Sequence, residues 1–380
     1  MNLFRPPDLD DSDRRALAAV ATLHKELRHL VAAPRRWSAL LRRVALARAV
    51  RGSSTIEGFT VSVDDAFAAL DDQEPMDAGE LAWQAVRGYR DAVTYVLQLA
   101  QRRPFTLSAD TILALHYMLQ HYDLGKWPGR WRPDEVFVYD ADNEVTVYVG
   151  PDADLVPELV DQLAATVNGA DLDAEPLVTA AMAHLNLVMI HPFKDGNGRM
   201  ARCLQTLLLA ASGTTPAPEL ASIEEYLGSH EQDYYRVLAD VGGGEWSPGR
   251  DTRPWIRFCV TAHYRQAMRV QRRSEFGGKL WMHAEQLVAD AGLPERCVQP
   301  LTFCLSGRYL RNSTYRQLVP DISHNVASRD LNELVKLGWL EPEGENRGRR
   351  YRPAETQLKV AADIRAEVNS RFPTTGDPYA

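Results

Sequence analysis

Residues 179–190 (TAAMAHLNLVMI) are apolar almost all round, the pattern of a helix buried in a sizeable core. Pro192 and the Asp-Gly and Asn-Gly pairs at 195–198 then forbid a continuous helix and demand a turn. Met200, Leu204, Leu207 and Leu208 recur at helical spacing, which predicts a second helix beginning near Arg199. Upstream, a helix is expected from about Ala33 through Ile56, stopping at Gly58, and another over 108–121. Residues 137–139 and 145–148 are β-branched or aromatic, so they read as a hairpin turning at 140–144. Residues 242–254 (GGGEWSPGRDTRP) read as a flexible surface loop.

Residues 301–353 follow a different grammar. Segments 301–305 and 314–318 read as short helices and 323–337 as a third, whose apolar stripe is Ala327, Leu331, Leu334 and Val335. WLEPEGENRGRRYRP then reads as two short strands around a tip rich in Gly and Arg.

Length and composition narrow the class. At 380 residues and 45% hydrophobic content, two to three globular domains are expected. Cys203, Cys259, Cys297 and Cys304 lack metal-ligand spacing. Residues 1–13 are polar and acidic with no signal-peptide core, and no apolar run approaches a membrane span. The expectation is a soluble, cytoplasmic protein in a reducing compartment, with no membrane partner. A net charge of −8 and a pI near 5.7 are unlike those of a dedicated DNA binder. The arginines between 35 and 51 alternate with apolar residues and read as a solvated helix face.

The candidate chemistry is concentrated in HPFKDGNGRMAR, residues 191–202. A loop that meets a helix N-terminus gathers free N–H groups and the positive end of the dipole, a natural anion site. Gly196 and Gly198, lacking Cβ atoms, let the backbone approach phosphate oxygens. Arg199 and Arg202, three residues apart, offer donor forks from one side of the first turn. Asp195 is a hard oxygen ligand of the kind Mg²⁺ takes beside a triphosphate, and His191 can serve as a general base. Glu57, in the last turn of its helix, is electrostatically misplaced, and a nearby arginine would account for it.

Every fixed position of these twelve residues resembles the Fic family signature HPFx[D/E]GNGRxxR. The resemblance implies a mostly α fold, a Fic-type helical core with a β-hairpin flap, that transfers AMP from ATP to a Tyr, Ser or Thr hydroxyl of a target protein. It assigns His191 as base, Asp195 to Mg²⁺, the amides and side chain of Gly196-Asn197-Gly198 to an anion hole, and Arg199 and Arg202 to the β/γ-phosphates. Branches of the family that transfer phosphate or phosphocholine depart at the glycines, both of which are present here. The Tyr234-Tyr235 pair resembles the helix lining the adenine pocket, with Tyr234 assigned to the nucleotide, but His230 stands where many members have Asn. Arg130 and Arg132 resemble a structural turn before the flap, and the flap, 135–149, would clamp the target by strand addition. A hairpin packed on the helices without a partner is the alternative.

Residues 53–58 (SSTIEG) resemble the family's inhibitory motif [S/T]xxxE[G/N], which implies that Glu57 pairs with Arg202 and displaces the γ-phosphate. Members restrained this way can also remove AMP, the glutamate orienting a water. The module at 301–353 resembles a winged helix-turn-helix domain. Ser323, His324, Asn325, Ser328 and Arg329 would form its recognition head, and Arg347, Arg349, Arg350 and Arg352 its wing. Region 314–352 would contact DNA or another protein, and acidic residues such as Asp321, Asp330 and Glu333 on or beside the third helix leave both open. The competing reading of the whole chain is an ATP-sensing, DNA-binding regulator. The resemblance is also compatible with a homodimer. The expected division is an N-terminal helical region carrying the inhibitory helix (1–100), a Fic core (101–260), a helical connector (261–300) and the winged-helix domain with a tail (301–380).

Overall fold

The computed structural model describes residues 3–32, 37–102, 104–140, 145–170, 174–214, 222–345, 348–372 and 375–380. Its centre is the predicted buried helix, α7 (Pro176–Ile190), where twelve residues from Leu177 to Ile190 are buried. It packs along α8 (Asn197–Ser212), which begins two residues before the expected Arg199 because the left-handed Gly196 turns the chain directly into the helix. Around this pair stand α4 (Glu80–Leu99), α5 (Ala109–Gln120) and α6 (Val156–Asn168). The α5 start is set by Ser108, whose hydroxyl accepts the Thr111 amide, and its end falls one residue inside the expected 121.

The N-terminal residues are not a polar tail. Leu3 and Phe4 are buried, and the Phe4 backbone exchanges two hydrogen bonds with the Asn186 side chain on α7. α1 (Asp11–Ala32) lays Ala16, Leu17 and Val20 inward and runs beside a 38-residue helix later in the chain, α11 (Arg253–Asp290). That pairing is pinned by Arg253 and Arg257, both on Asp13 in the first turn of α1.

α2 (Ser38–Ile56) is the expected helix ending at Gly58, whose φ of +79° suits glycine. The expected start at Ala33 lies outside the described residues. Two of its arginines depart from the solvated-face reading, while Arg51 is exposed: Arg43 pairs with Asp71, and Arg48 with Glu225 at 3.2 Å, both half-buried. Arg35 and Arg36 lie outside the described residues. α2 packs against α9 (Glu224–Ser229) at van der Waals limits, since a Cβ on Gly52 would sit 2.3 Å from the Glu224 carbonyl oxygen. The chain breaks at His230 before α10 (Glu231–Gly242). The short α3 (Val63–Leu70) follows α2 and is closed by a capping box between Ser62 and Asp65.

The hairpin is present as β1 (Phe137–Asp140) and β2 (Val145–Val149), antiparallel with Val138 opposite Tyr148; residues 141–144 of the expected turn lie outside the described residues. The loop at 242–254 is tied to this hairpin, contrary to the flexible reading. The Val149 amide donates to the Gly244 carbonyl at 2.9 Å, and Arg250 donates back to the Val241 carbonyl at 3.0 Å. One backbone bond and one isolated bridge thus join this loop to the C-terminal end of β2.

Beyond α11 come α12 (Val298–Leu305), α13 (Asn312–Leu318) and α14 (His324–Lys336), then β3 (Leu340–Glu343) paired antiparallel to β4 (Arg350–Pro353). The expected tail is instead a helix, α15 (Glu355–Arg371), that packs on α11. The expected division at 260/261 falls inside α11, and that at 300/301 falls inside α12. One large hydrophobic core reaches from the N-terminal to the C-terminal part, where the Phe67 and Phe303 rings meet at 4.9 Å, beside a small second cluster of Leu27, Ala267 and Val270. Among the described residues, no helix is long and apolar enough to cross a membrane.

The α2–α9 contact should be the least forgiving on this side of the molecule. Overpacking a tight site typically costs about 1–3 kcal/mol. Gly52→Ala should therefore lower the thermal melting midpoint measurably, whereas Gly79→Ala, where a Cβ meets nothing, should leave it nearly unchanged.

Candidate active site

His191 caps α7 in a left-handed conformation, φ +50° and ψ +57°, a costly one for a residue with a Cβ. Three contacts hold it there. Its amide donates to the Leu187 carbonyl at 3.0 Å, its Nδ1 lies 3.1 Å from the Val188 carbonyl, and its own carbonyl accepts from Arg132 Nε at 2.9 Å. An Nδ1–H donated to a carbonyl leaves Nε2 as the basic nitrogen. Desolvation, with help from the Arg132 charge, depresses the His191 pKa to about 4, so the ring is neutral near pH 7. Arg132 is structural, as expected: it also donates to the carbonyls of Asp134 and Pro151 at the base of the hairpin.

The loop after His191 is fixed from inside by Asn197. Its Oδ1 accepts the Phe193 amide at 2.9 Å and its Nδ2 donates to the Phe193 carbonyl at 2.8 Å. These two bonds leave the second Nδ2–H as the one side-chain donor Asn197 can still offer an anion. The amides at the start of α8 remain available, as the first helical N–H groups have no partner within the helix.

His116 on α5 supports the loop from the other side. Gly129 N–H donates to its Nδ1 at 3.0 Å, so Nε2–H points at the Asp195 carbonyl, 2.9 Å away. Its ring stacks on Phe193 with centroids 3.6 Å apart. Burial depresses its pKa to about 4, which keeps it neutral. The sequence reading passed over His116 because a histidine on the apolar face of a helix carries no motif of its own.

The cationic side of the site holds Glu57. Arg202 is 2% exposed and donates to Ser53 Oγ at 2.9 Å, to the Ser53 carbonyl at 3.2 Å and to Glu57 Oε1 at 2.7 Å. Burial works against its charge, but Glu57 and the nearby tyrosines outweigh that, and its pKa is raised. Arg199 reaches Glu57 Oε2 at 3.8 Å and Tyr122 Oη at 3.0 Å. The Glu57 carboxylate also lies over Gly198, where a Cβ would stand 2.8 Å from Oε1. The carboxylate thus lies against the first turn of α8, where helical N–H groups are free to meet an anion.

Asp195 is half-exposed, takes the Gly196 amide on Oδ1 and has Lys126 Nζ 3.4 Å from Oδ2. Burial raises its pKa, but Arg199, Lys126 and that amide lower it further, so it is ionised at neutral pH. Among the described residues, no group of three His, Cys, Asp or Glu side chains could hold a metal. A lone carboxylate suits only an ion bound mainly by phosphates and water, as Mg²⁺ usually is.

Tyr234 does not face the opening. It is 1% exposed, with its hydroxyl 3.0 Å from His184 Nε2, beneath Arg202. Tyr235, which the sequence reading left without a role, is 47% exposed and donates to the Ile56 carbonyl at 2.9 Å, next to Glu57. His230 caps α9, with its ring stacked on Tyr226 and Nδ1 2.9 Å from the Tyr226 carbonyl.

Residues 106–209, which contain α5 to α7, this loop and most of α8, match the model of the Fic/DOC family. They form a Fic domain. The protein adenylyltransferase Fic of Nematostella vectensis is 29% identical over 214 residues, 55% of this chain and 44% of that protein. The protein adenylyltransferase fic-1 of Caenorhabditis elegans is 29% identical over 256 residues, 65% and 45% of the two chains. The chain thus spans about half the length of the curated relatives it matches. Among solved structures, a Fic family protein from Desulfovibrio desulfuricans G20 superposes with a TM-score of 0.59 at 22% identity, over 93% of this chain and 99% of that one. A fragment of C. elegans Fic-1 gives 0.55 at 27% identity, over 68% and 72%. The mostly helical fold is the fold of these neighbours.

Removing the Asn197 lock should be felt as stability. A buried amide or carbonyl left unsatisfied costs about 1–3 kcal/mol. Asn197→Ala strands both Phe193 groups and should lower the melting midpoint by several degrees, with Asn197→Asp, which keeps the acceptor, falling between it and wild type.

Proposed function

We propose that this chain transfers AMP from ATP to a Tyr, Ser or Thr hydroxyl of a target protein, and that Glu57 holds the activity down. The observation that carries the reading is the Glu57 carboxylate lying over Gly198 and 2.7 Å from Arg202, an anion already seated where a phosphate would go. The Fic domain and the names of the curated relatives support the choice of reaction.

In this reading the target hydroxyl oxygen attacks the α-phosphorus, its proton passes to His191 Nε2, and the bond to the bridging oxygen breaks to release pyrophosphate. The amides of Gly198 and Arg199, with both guanidiniums, would take up the charge on the phosphates. Asp195 would hold Mg²⁺, which when bound neutralises phosphate charge. The target segment would lie along β1, since the C-terminal end of β2 is already met by Gly244. Phe137 on β1 is well exposed, which suits a strand that accepts a partner.

We read residues 298–353 as a winged helix used for protein contact in a cytoplasmic protein. The supporting observation is that two of its three described wing arginines are paired: Arg352 with Glu341 and Glu343 at 2.7 and 2.8 Å, and Arg350 with Glu343, over the Tyr309 ring. Arg349 is exposed, and Arg347 lies outside the described residues. On the third helix, Asp330 is buried against Arg296 and Tyr315, so it supports the fold and does not repel a nucleic acid.

Three measurements test this. Wild type, Glu57→Gly and Glu57→Gly/His191→Ala are incubated with Mg²⁺-ATP and the intact proteins weighed. A gain of one AMP in the single mutant is expected, with the double mutant slower by at least about 10²-fold, the usual effect of losing a general base. No gain in Glu57→Gly would overturn the proposal. Because His191 is depressed to about 4, its basic form is present above that pH and lost only as pH falls through it. The Glu57→Gly rate at saturating nucleotide should therefore show no His191 limb near 6.5, whereas an unperturbed histidine would give one there. Finally, Glu57→Gly leaves Arg202 buried without its carboxylate, so Mg²⁺-ATP should raise the melting midpoint of that variant more than that of wild type.

A further inference from the structure

We propose that an arginine-lined cavity between α2, α11, α12 and α15 binds a small phosphorylated ligand that carries an apolar or aromatic part, nucleotides being the class that combines the two. The cavity measures about 420 Å³ and is lined by Arg48, Arg269, Arg272, Arg273, Arg308 and Arg365. It shares no residue with Glu57 or the loop at 191–202.

Glu225 and Asp64 are the carboxylates that meet Arg48, Arg273 and Arg308. Glu225 accepts from Arg48 at 3.2 Å, Arg273 at 2.6 Å and Gln266 at 3.3 Å. Asp64 takes Arg308 at 3.4 Å, a long contact. The Nε atoms of Arg48 and Arg308 are buried with no hydrogen-bond partner, although the Arg308 side chain is only 9% exposed. Buried donors of a charged group are expensive to leave unmade, so the chain carries a deficit here that an anion would relieve. Burial, followed by the charges of Arg273 and Arg308, pushes Arg48 down to about 9, the electrostatic mark of that deficit.

The remaining wall explains the apolar part. Trp37, Val44, Phe276 and Leu280 face the same space, and Arg365 lies over the Phe276 ring at 4.9 Å. Gly278 leaves room for the Trp37 indole, since a Cβ there would meet the ring at 2.8 Å. Forked donors beside apolar and aromatic surface, in a volume typical of small-molecule sites, fit a phosphate joined to a ring. A nucleic-acid backbone would instead follow a basic track, and α11 and α15 also carry Glu275 and Glu367. Arg48 and Glu57 are nine residues apart on and just after α2, about 13 Å along its axis, so an occupant would bear on the helix that positions Glu57.

The test is calorimetric titration of the full chain with guanosine diphosphate and, separately, with inorganic pyrophosphate. Guanosine diphosphate should bind wild type, more tightly than pyrophosphate, and Arg48→Gln and Arg269→Gln should each weaken it by at least about 10-fold. Arg199→Ala, in the other anion site, should leave it unchanged. Absence of binding overturns the proposal, and so does weakening by Arg199→Ala without weakening by Arg48→Gln. Equal affinity for the two probes overturns the apolar part, and displacement of guanosine diphosphate by duplex DNA overturns the small-ligand assignment. If Arg48→Gln lowers the melting midpoint sharply, Arg269→Gln and Arg365→Gln decide. None of these outcomes depends on whether the chain transfers AMP.

Discussion

Arg202 is a guanidinium folded into the interior, and a charge buried that deeply must be met by an anion and by acceptors for its donors. The end of α2 supplies both. Ser53 offers a hydroxyl and a carbonyl, and Glu57 a carboxylate. For those groups to arrive together, α2 must stop where it does and lie close to α9, which is what Gly58 and Gly52 permit. The site is thus assembled by one pairing that joins the N-terminal helices to the Fic domain. The helix that completes the charge balance of the loop lies before residue 100 in the chain.

The rest of the loop is held by neutral contacts. His116 and His191 are both kept uncharged by burial, one as a strut under Asp195 and the other with Nε2 toward the site. This matters because the loop already gathers Arg199, Arg202, Lys126 and a helix N-terminus. A protonated imidazole among them would add repulsion and remove the basic nitrogen. Desolvation therefore does two things at once: it keeps the cationic side tolerable and keeps a base available.

Much of this was legible in the sequence where local chemistry dictates geometry. An apolar run, a Pro and two glycine turns leave few alternatives for residues 179–212, and a glutamate in the last turn of a helix asks for a cation. What stayed hidden depended on packing across the chain. Nothing local says that both ends of the Asn197 amide go to Phe193, that Tyr234 points into the core while Tyr235 stays out, or that the glycine-rich stretch at 242–254 pairs with the hairpin. The arginines of α2 illustrate the limit best. Their spacing reads as a solvated face, but Asp71 and Glu225, supplied by distant segments, draw Arg43 and Arg48 inward. Residue type sets what a side chain needs, and tertiary contacts decide where it finds it.

On the proposed reading, the energetics of Glu57 explain how its restraint can be firm and still reversible. Its place at a helix C-terminus is unfavourable by a few tenths to about 1 kcal/mol, a penalty that pairing with Arg202 outweighs. Its Oε2 reaches Arg199 at 3.8 Å, so the second contact is weak, and its side chain keeps 18% of its surface in solvent. A carboxylate that leaves this position returns to water close by, without crossing the core. Arg202 cannot leave, because Ser53 anchors it and its stem is buried. The competition is therefore between anions for one fixed guanidinium: a tethered carboxylate at high effective concentration against a free phosphate with more charge and more acceptor oxygens. Whatever loosens the end of α2 lowers the first without touching the second. On the proposed reading, the movable partner of this pair is the inhibitor and the immovable one is the phosphate ligand, so release of Glu57 would leave the nucleotide-binding geometry already in place.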